Sequence, residues 1–492
     1  MAAQSDPETA PAAASFSFET LRERARTLAA KEYREEKNPE LPEFLKKLNY
    51  DDYQAIHFRP EQALWQSDLL QFKVHFFHRG NLFQDPVKIH VIENGTIRDL
   101  TFSTNQFDYG TNQFAKPIPP DLHFAGLRVI SSRAGSLEQP EVATFLGASY
   151  FRLVGLHQRY GASGRALAID TAEAKGEEFP RFTEFWIERP VAESDVMVIF
   201  ALLDSPSCAG AFRFVLKPGE ATSADIEASV FLRKDSKKLG LAPLTSMFYF
   251  GKQKTRLLAD FRPEVHDSDG LLFQPTPNDW LWRPLVNPEK EHRLSRFSAS
   301  DVQGYGLIQR ARDFRDYEDL EGRYELRPSL WIKRLDKWPA GVLELVEIPT
   351  PSEYNDNIVA YWVPSGKYAV GQEIHWSYNL SARLQGPDAA SLLRVASTRL
   401  APEQDKRPAR FVLDFSGSLR PPLAAKAAIQ ARVEASRGEV SNVVVHTNEV
   451  AGGWRTFFDF VPAGKDPAEL RLFLRSGTRV LSEIWVYQFQ NL

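Results

Sequence analysis

Cysteine is nearly absent from this sequence: Cys208 is the single one in 492 residues. No intrachain disulfide and no cysteine-based metal site can form. A lone thiol fits a reducing compartment and equally an exported protein that avoids thiols. No apolar run approaches the roughly 20 residues a bilayer-spanning helix needs, so no membrane span is expected. Basic excess is missing too, since 60 Lys and Arg face 64 Asp and Glu for a net charge of −4. That disfavours nucleic acid as a partner, because a binder needs a basic surface to displace counterions from phosphates. The best basic run, "KQKTR" from Lys252 to Arg256, is short and reads as a solvated turn. A Gly-rich phosphate loop, an HExxH motif, a Rossmann fingerprint and a nucleophile elbow are all lacking. "GASGRALA", beginning at Gly161, is not followed by GK[ST]. The ten histidines are scattered, and His75 and His90 fall in strand patterns as surface or cross-strand residues. Neither a metal nor a cofactor is expected.

What is present points to β-structure. The length suggests two or three domains, and 43% hydrophobic with 25% charged residues is ordinary for a soluble globular chain. Residues 1–15 are small, polar and Pro/Ala-rich, which predicts disorder. They resemble the start of a mature exported protein with a methionine added, and no signal peptide pattern is present. One helix opens the fold, with Phe18, Leu21, Ala25 and Leu28 on one face, Ser17 as cap and Pro39 as stop. A helical turn over Pro42–Leu48 follows. Phe72, Val74 and Phe76 then alternate with polar residues as in a half-buried strand. Asn94-Gly95 between two alternating runs predicts a tight hairpin. Regular crossover helices are missing, so the fold class is all-β, a large antiparallel sandwich over 16–384. A break at Gln385–Ser391 precedes about seven short strands in about 100 residues, the pattern of a smaller immunoglobulin-like sandwich over 392–492.

Carboxylates and aromatics carry the remaining chemistry. Acids cluster in "HDSDG" (His266–Gly270), "DFRDYEDLEGRYE" (Asp313–Glu325) and "EYNDN" (Glu353–Asn357), and six tryptophans share that stretch. Sugar C–H faces stack on aromatic rings, while sugar hydroxyls suit carboxylates and Arg. Cleaving an acetal takes one protonated carboxyl and a second group that helps the nucleophile. Two structural readings compete: Asp-rich loops form Asx turns, and tryptophans fill cores.

These segments resemble the osmoregulated periplasmic glucan biosynthesis proteins G and D of Gram-negative bacteria. The matching strings include "DYQAIHFRPEQALW" (52–65), "YGTNQFAKP" (109–117), "ASYFRLVG" (148–155), "EEFPRFTEFWIERP" (177–190) and "LAPLTSMFYFG" (241–251). "RPEVHDSDGL" (262–271), "RYELRPSLW" (323–331), "ELVEIPTPSEYNDNIVAYW" (344–362) and "LSEIWVYQ" near the end continue the series. The resemblance implies a large β-sandwich followed by an immunoglobulin-like one, a periplasmic location and a β-1,2-glucan chain as partner. It is compatible with a homodimer and does not choose between G and D.

The resemblance also implies anomer-inverting glycoside hydrolase chemistry, with Asp356 as general acid and Glu353 as its neighbour. The base lies in the HDSDG segment, at Asp267 with Asp269 close behind. An inverting pair normally stands roughly 6.5–9.5 Å apart, and the acid needs a raised pKa. Asp269 and Glu353 equally suit turn-capping roles. Sugar contacts are expected from Tyr324, Arg327, Trp331, Tyr354 and Trp362, from Trp282 and Arg283, and more weakly from Tyr109 and Gln113. Three activities stay open: hydrolysis, transglycosylation that cyclises or branches the glucan with the same carboxylates, and non-catalytic glucan binding or scaffolding.

Overall fold

In the computed structural model of the chain, the described residues are 16–36, 39–131, 140–235, 238–252, 260–387, 392–402, 408–423 and 427–490. Residues 1–15, most of "KQKTR" and Ser391 lie outside them. Strands dominate, in two large sheets. A ten-stranded sheet runs from Phe72–Phe77 through Gly126–Ser131, Glu141–Leu146, Tyr150–Leu153 and Ser163–Arg165 to Leu239–Ser246. It continues through Ile358–Pro364 and Gly341–Glu347 to Arg293–Ala299. A fifteen-stranded sheet packs across it, centred on the long strands Met197–Asp204, Cys208–Lys217, Thr222–Leu232 and Glu373–Arg383.

Alternation in these strands sends every second residue into one shared core. Phe145 meets Phe185 and Phe214 of the facing sheet with ring centres 5.5 and 5.0 Å apart. Trp362, Trp376 and Tyr378 are buried in the same core. The all-β expectation holds. Most pairings are antiparallel, but Lys88–Glu93 runs parallel to Arg181–Glu188.

The first helix, Phe18–Ala29, begins as expected, with the Ser17 side chain accepting from Thr20 N. It stops well before Pro39. The Arg233 guanidinium explains the early end by donating to the carbonyls of Leu28 (2.9 Å) and Lys31 (3.1 Å), groups a helix terminus leaves unpaired. The turn over Glu43–Lys46 is present, and Tyr50–Gln54 adds a short helix capped by Asn49. In the hairpin, Glu93 pairs with Thr96 across Asn94 and Gly95, both at positive φ.

Toward the C-terminus, a four-stranded sheet (Arg394–Ala401, Ala409–Ser416, Glu439–Thr447, Trp454–Val461) covers the far arm of the fifteen-stranded sheet. Phe411 and Phe458 meet Trp485 between them, at 5.5 and 6.1 Å. That arm is not separate from the large sheet. Ile484–Phe489 pairs in parallel with Leu281–Pro284, so one ladder runs through both regions. Among the described residues, no helix is long and apolar enough to cross a membrane.

Candidate functional site

Strand Leu239–Ser246 is buried along its whole length. Its Thr245 pairs with Ser163 on one side and Val359 on the other. The chain then turns at Met247 into a two-stranded ladder in which Phe248 faces His266, their rings stacked 5.2 Å apart. Asp267 follows, its N–H donating to the Met247 carbonyl at 2.8 Å. On the opposite flank Asp356 stands just before strand Ile358–Pro364, with Thr245 Oγ1 3.5 Å from its Oδ2. Asn357 fixes that flank. Its side chain accepts from Phe248 N (2.8 Å) and donates to the carbonyls of Phe248 and Ile348 (3.0 Å each). Phe248 is thus joined to the immediate neighbour of each acid. Two loops far apart in sequence meet at one place.

The acids have opposite surroundings. The Asp267 carboxylate is buried and accepts from Arg327 Nη1. The Arg327 guanidinium lies 4.0 Å over the Tyr324 ring and donates to the Gly322 carbonyl at 3.2 Å. Its stem packs on Gly161, where a Cβ would come within 2.9 Å of it. Tyr324 OH donates to Glu353 Oε2 at 2.8 Å, and Arg262 Nη1 reaches the same oxygen at 2.6 Å. Arg262 also pairs with Asp260 and Asp319. A continuous polar chain therefore links Asp267, Arg327, Tyr324 and Glu353.

Asp356 faces water, yet surrounding protein raises its pKa above the ordinary carboxylate value. Arg152 opposes that rise, the negative charge of Asp267 adds to it, and Thr245 and Arg165 oppose it more weakly. The two carboxyls share one electrostatic field. One is held in an ion pair with Arg327, and the other is a carboxyl biased toward keeping its proton.

Asp269 serves the backbone. Its Oδ2 accepts from the N–H groups of Arg310 and Ala311, and its own N–H donates to the Ile308 carbonyl. Side-chain polar atoms of Glu264, His266 and Asp269 lie within 4.8 Å of one another. Cations of the chain itself serve this cluster: Lys252 Nζ stands 2.8 Å from Glu264 and 3.1 Å from Asp316. Lys252 is therefore ion-paired, and the rest of "KQKTR" lies outside the described residues.

Comparison with known proteins identifies the family. Residues 16–489 match the family described as "Periplasmic glucan biosynthesis protein, MdoG". The chain belongs to that family. It is 44% identical to "Glucans biosynthesis protein G" of Rhodopseudomonas palustris, over 97% of this chain and 94% of that protein. It is 43% identical to the protein of the same name from Ralstonia nicotianae, covering 97% of each. "Probable glucans biosynthesis protein D" of Shewanella oneidensis is 40% identical, over 98% of this chain and 90% of that protein.

In this member of the family, several residues expected to touch sugar are packed inside. The Trp362 ring fills the space above Gly341 within the main core. Trp331 packs on Gly304, Gly306 and Trp280. Trp282 lies over Gly270 beneath the Arg310 guanidinium, 3.5 Å away. Arg283 is buried and donates to Ser295 Oγ. A ring without an exposed face cannot stack on a sugar, so these four have structural positions. Tyr109 sits among Phe107, His78 and Phe114, and none of these contacts leads to the acids; Gln113 is exposed nearby. Tyr324 is buried, but within the acid network. Tyr354 is 90% exposed beside Glu353.

Sequence reasoning missed Arg152, Arg165, Thr245 and Asn357. Arg165 is buried, pairs with Glu177 at 2.6 Å and lies over the Tyr150 ring at 5.3 Å. Arginine at 165 in an apolar strand context was the available signal for that residue, since a buried charge needs a partner. His90 is a cross-strand residue as expected, between Asp99 and Glu184. His75 is buried against the Phe58 ring and not on the surface.

Proposed function

We propose that this protein is a periplasmic, anomer-inverting enzyme of the glycoside hydrolase type acting on β-1,2-glucan, with Asp356 as general acid and Asp267 as base. The observation that carries this reading is that the segments bearing the two carboxyls are both joined to Phe248, with Asp267 paired to Arg327 and Asp356 exposed with a raised pKa. A carboxyl with a raised pKa keeps the proton a departing glycosidic oxygen needs. A carboxylate clamped by Arg327 is held in place to orient a nucleophile directly or through an intervening hydroxyl. Glu353 holds the acid's loop against Tyr324 and Arg262, and Asp269 braces the base's strap. Tyr354, Phe261 and Leu320 supply exposed apolar surface beside this network, the latter two around a hollow of about 570 Å³ also lined by Arg262 and Asp319. We read residues 16–384 as the glucan-acting unit and 392–492 as an immunoglobulin-like unit attached through the shared sheet.

The same carboxylates serve hydrolysis and transfer, which differ in whether water or a glucan hydroxyl attacks the anomeric carbon. Incubation with linear β-1,2-glucan, followed by mass analysis, separates them. Shorter chains with free reducing ends and no other product indicate hydrolysis, and rings one water lighter than a linear chain of equal length, formed together with the displaced chain fragment, indicate cyclisation. An unchanged polymer overturns the enzymatic reading.

A further inference from the structure

The strap that carries Asp267 contains a fully buried histidine whose proton inventory can be read from its partners. His266 Nδ1 lies 2.9 Å from Gln309 Oε1. The orientation of that amide is fixed, because Gln309 Nε2 donates to the His266 carbonyl (2.9 Å) and approaches the Tyr324 carbonyl (3.4 Å). Neither carbonyl can donate, so Oε1 is the amide's acceptor and Nδ1 must carry hydrogen. The other nitrogen, Nε2, faces Glu264 Oε2 at 3.1 Å and Asp269 Oδ1 at 3.8 Å. Ionised carboxylates only accept. Nε2 must therefore carry hydrogen as well.

We infer that His266 is a doubly protonated imidazolium in the resting protein and, through Gln309, a positioning residue for Asp267 and Arg327. The amide grips the backbone one residue before Asp267 and the backbone of Tyr324, whose ring carries the Arg327 guanidinium. Loss of the Nε2 proton would leave a lone pair facing two carboxylates in a dry site, loosening the strap that holds the base against its arginine.

All charged neighbours enter this balance. Glu264 and Asp269 come from the strap itself, Lys252 from the preceding ladder, and Asp316, Tyr317 and Glu325 from the segment above. Arg310 is turned away to Glu483 and Arg312 to the carbonyls of Glu325 and Arg327. Burial opposes the charged ring, but Asp269 and Glu264 outweigh it and raise the His266 pKa above the ordinary imidazole value. Glu264 is held low in turn: burial acts against its charge, and the bonds from His266 and Lys252 reverse that. Because the folded pKa is raised, this contribution is complete below about pH 6.5 and fades as pH climbs through the higher folded value.

The positioning role rests on the reading of Asp267 as base; the protonation state does not, so the test has two arms. In the first, the full chain with ¹⁵N-labelled histidine is followed by long-range ¹H–¹⁵N correlation, His266 being assigned by its loss in His266→Gln. Both ring nitrogens are expected to be of imidazolium type at pH 7.5, and in Glu264→Gln the titration moves down toward the ordinary range. A wild-type ring with one proton at pH 7.5 overturns the inference. In the second arm, the ratio of Glu264→Gln to wild-type kcat on linear β-1,2-glucan is expected to fall as pH rises through and above about 6.5 with little change in KM, whereas a pH-independent ratio overturns the positioning role. Wild-type protein inert toward the glucan strikes the proposed function and leaves the first arm intact.

Discussion

The strap that presents Asp267 and the loop that presents Asp356 are built in contrasting ways. The strap is buried and bonded at nearly every residue: His266 to Gln309, Asp267 to Arg327, Ser268 to Ser246, Asp269 to two backbone N–H groups. The loop from Pro351 to Asp356 is open to water, and its acid has one long contact with Thr245. A fixed anion needs partners that outlast solvent fluctuation. A group that gives up and regains a proton needs water, few partners and an environment that lifts its pKa. The contrast is what a division between base and acid requires.

Four experiments break or sharpen that contrast. Asp356→Asn removes the proton donor and is expected to lower turnover of linear β-1,2-glucan by about 10²–10⁴-fold while calorimetric affinity is kept; undiminished reducing-end release would remove the acid role. Arg327→Ala leaves the buried Asp267 charge unpaired and is expected to cost about 3 kcal/mol of stability in urea unfolding. Arg327→Lys should lose less, since it keeps the charge without the planar stack on Tyr324, and equal losses would show that packing and not pairing holds the strap. Glu353→Gln weakens an acceptor shared by Arg262 and Tyr324, at about 1–2 kcal/mol and a few-fold in kcat. A rate loss matching that of Asp356→Asn would shift the proton-donor role toward Glu353.

The smallest effect concerns pH. Asp356 has a raised folded pKa, so activity needing its proton persists above the ordinary carboxylate range and falls as pH rises through the folded value. Arg152→Met removes a positive charge that opposes the rise. The alkaline limb should therefore move up, by less than about one pH unit because Arg152 is exposed and screened. Added salt should shrink the difference between variant and wild type, and a downward shift contradicts the assigned field.

Local chemistry made the sequence legible where local chemistry decides structure. Ser17 caps its helix, Asn94-Gly95 turns its hairpin, and short strands recur along 394–489 at the close spacing expected, because caps, turns and alternation act over short spans. The acid segments stood out because carboxylates concentrated between apolar strands need a reason. Tryptophan was the misleading signal. Trp282, Trp331 and Trp362 neighbour the acid segments in sequence, but a ring that stacks on sugar and a ring that covers Gly270, Gly304 or Gly341 look alike until the facing glycine is known. Asn357 and Gln309 went unnoticed for a related reason: an amide is a staple only when its partners arrive from elsewhere in the chain.

The parallel pairing of Ile484–Phe489 with Leu281–Pro284 has a consequence for assembly. Ribosomes deliver the chain from its N-terminus, so nearly two hundred residues separate the emergence of one edge from the arrival of the strand that seals it. Until then the larger sheet has an open, hydrogen-bond-hungry border of the kind that recruits other chains. Strand Ile484–Phe489 is thus the clasp of this ladder, and its removal exposes the edge of Leu281–Pro284.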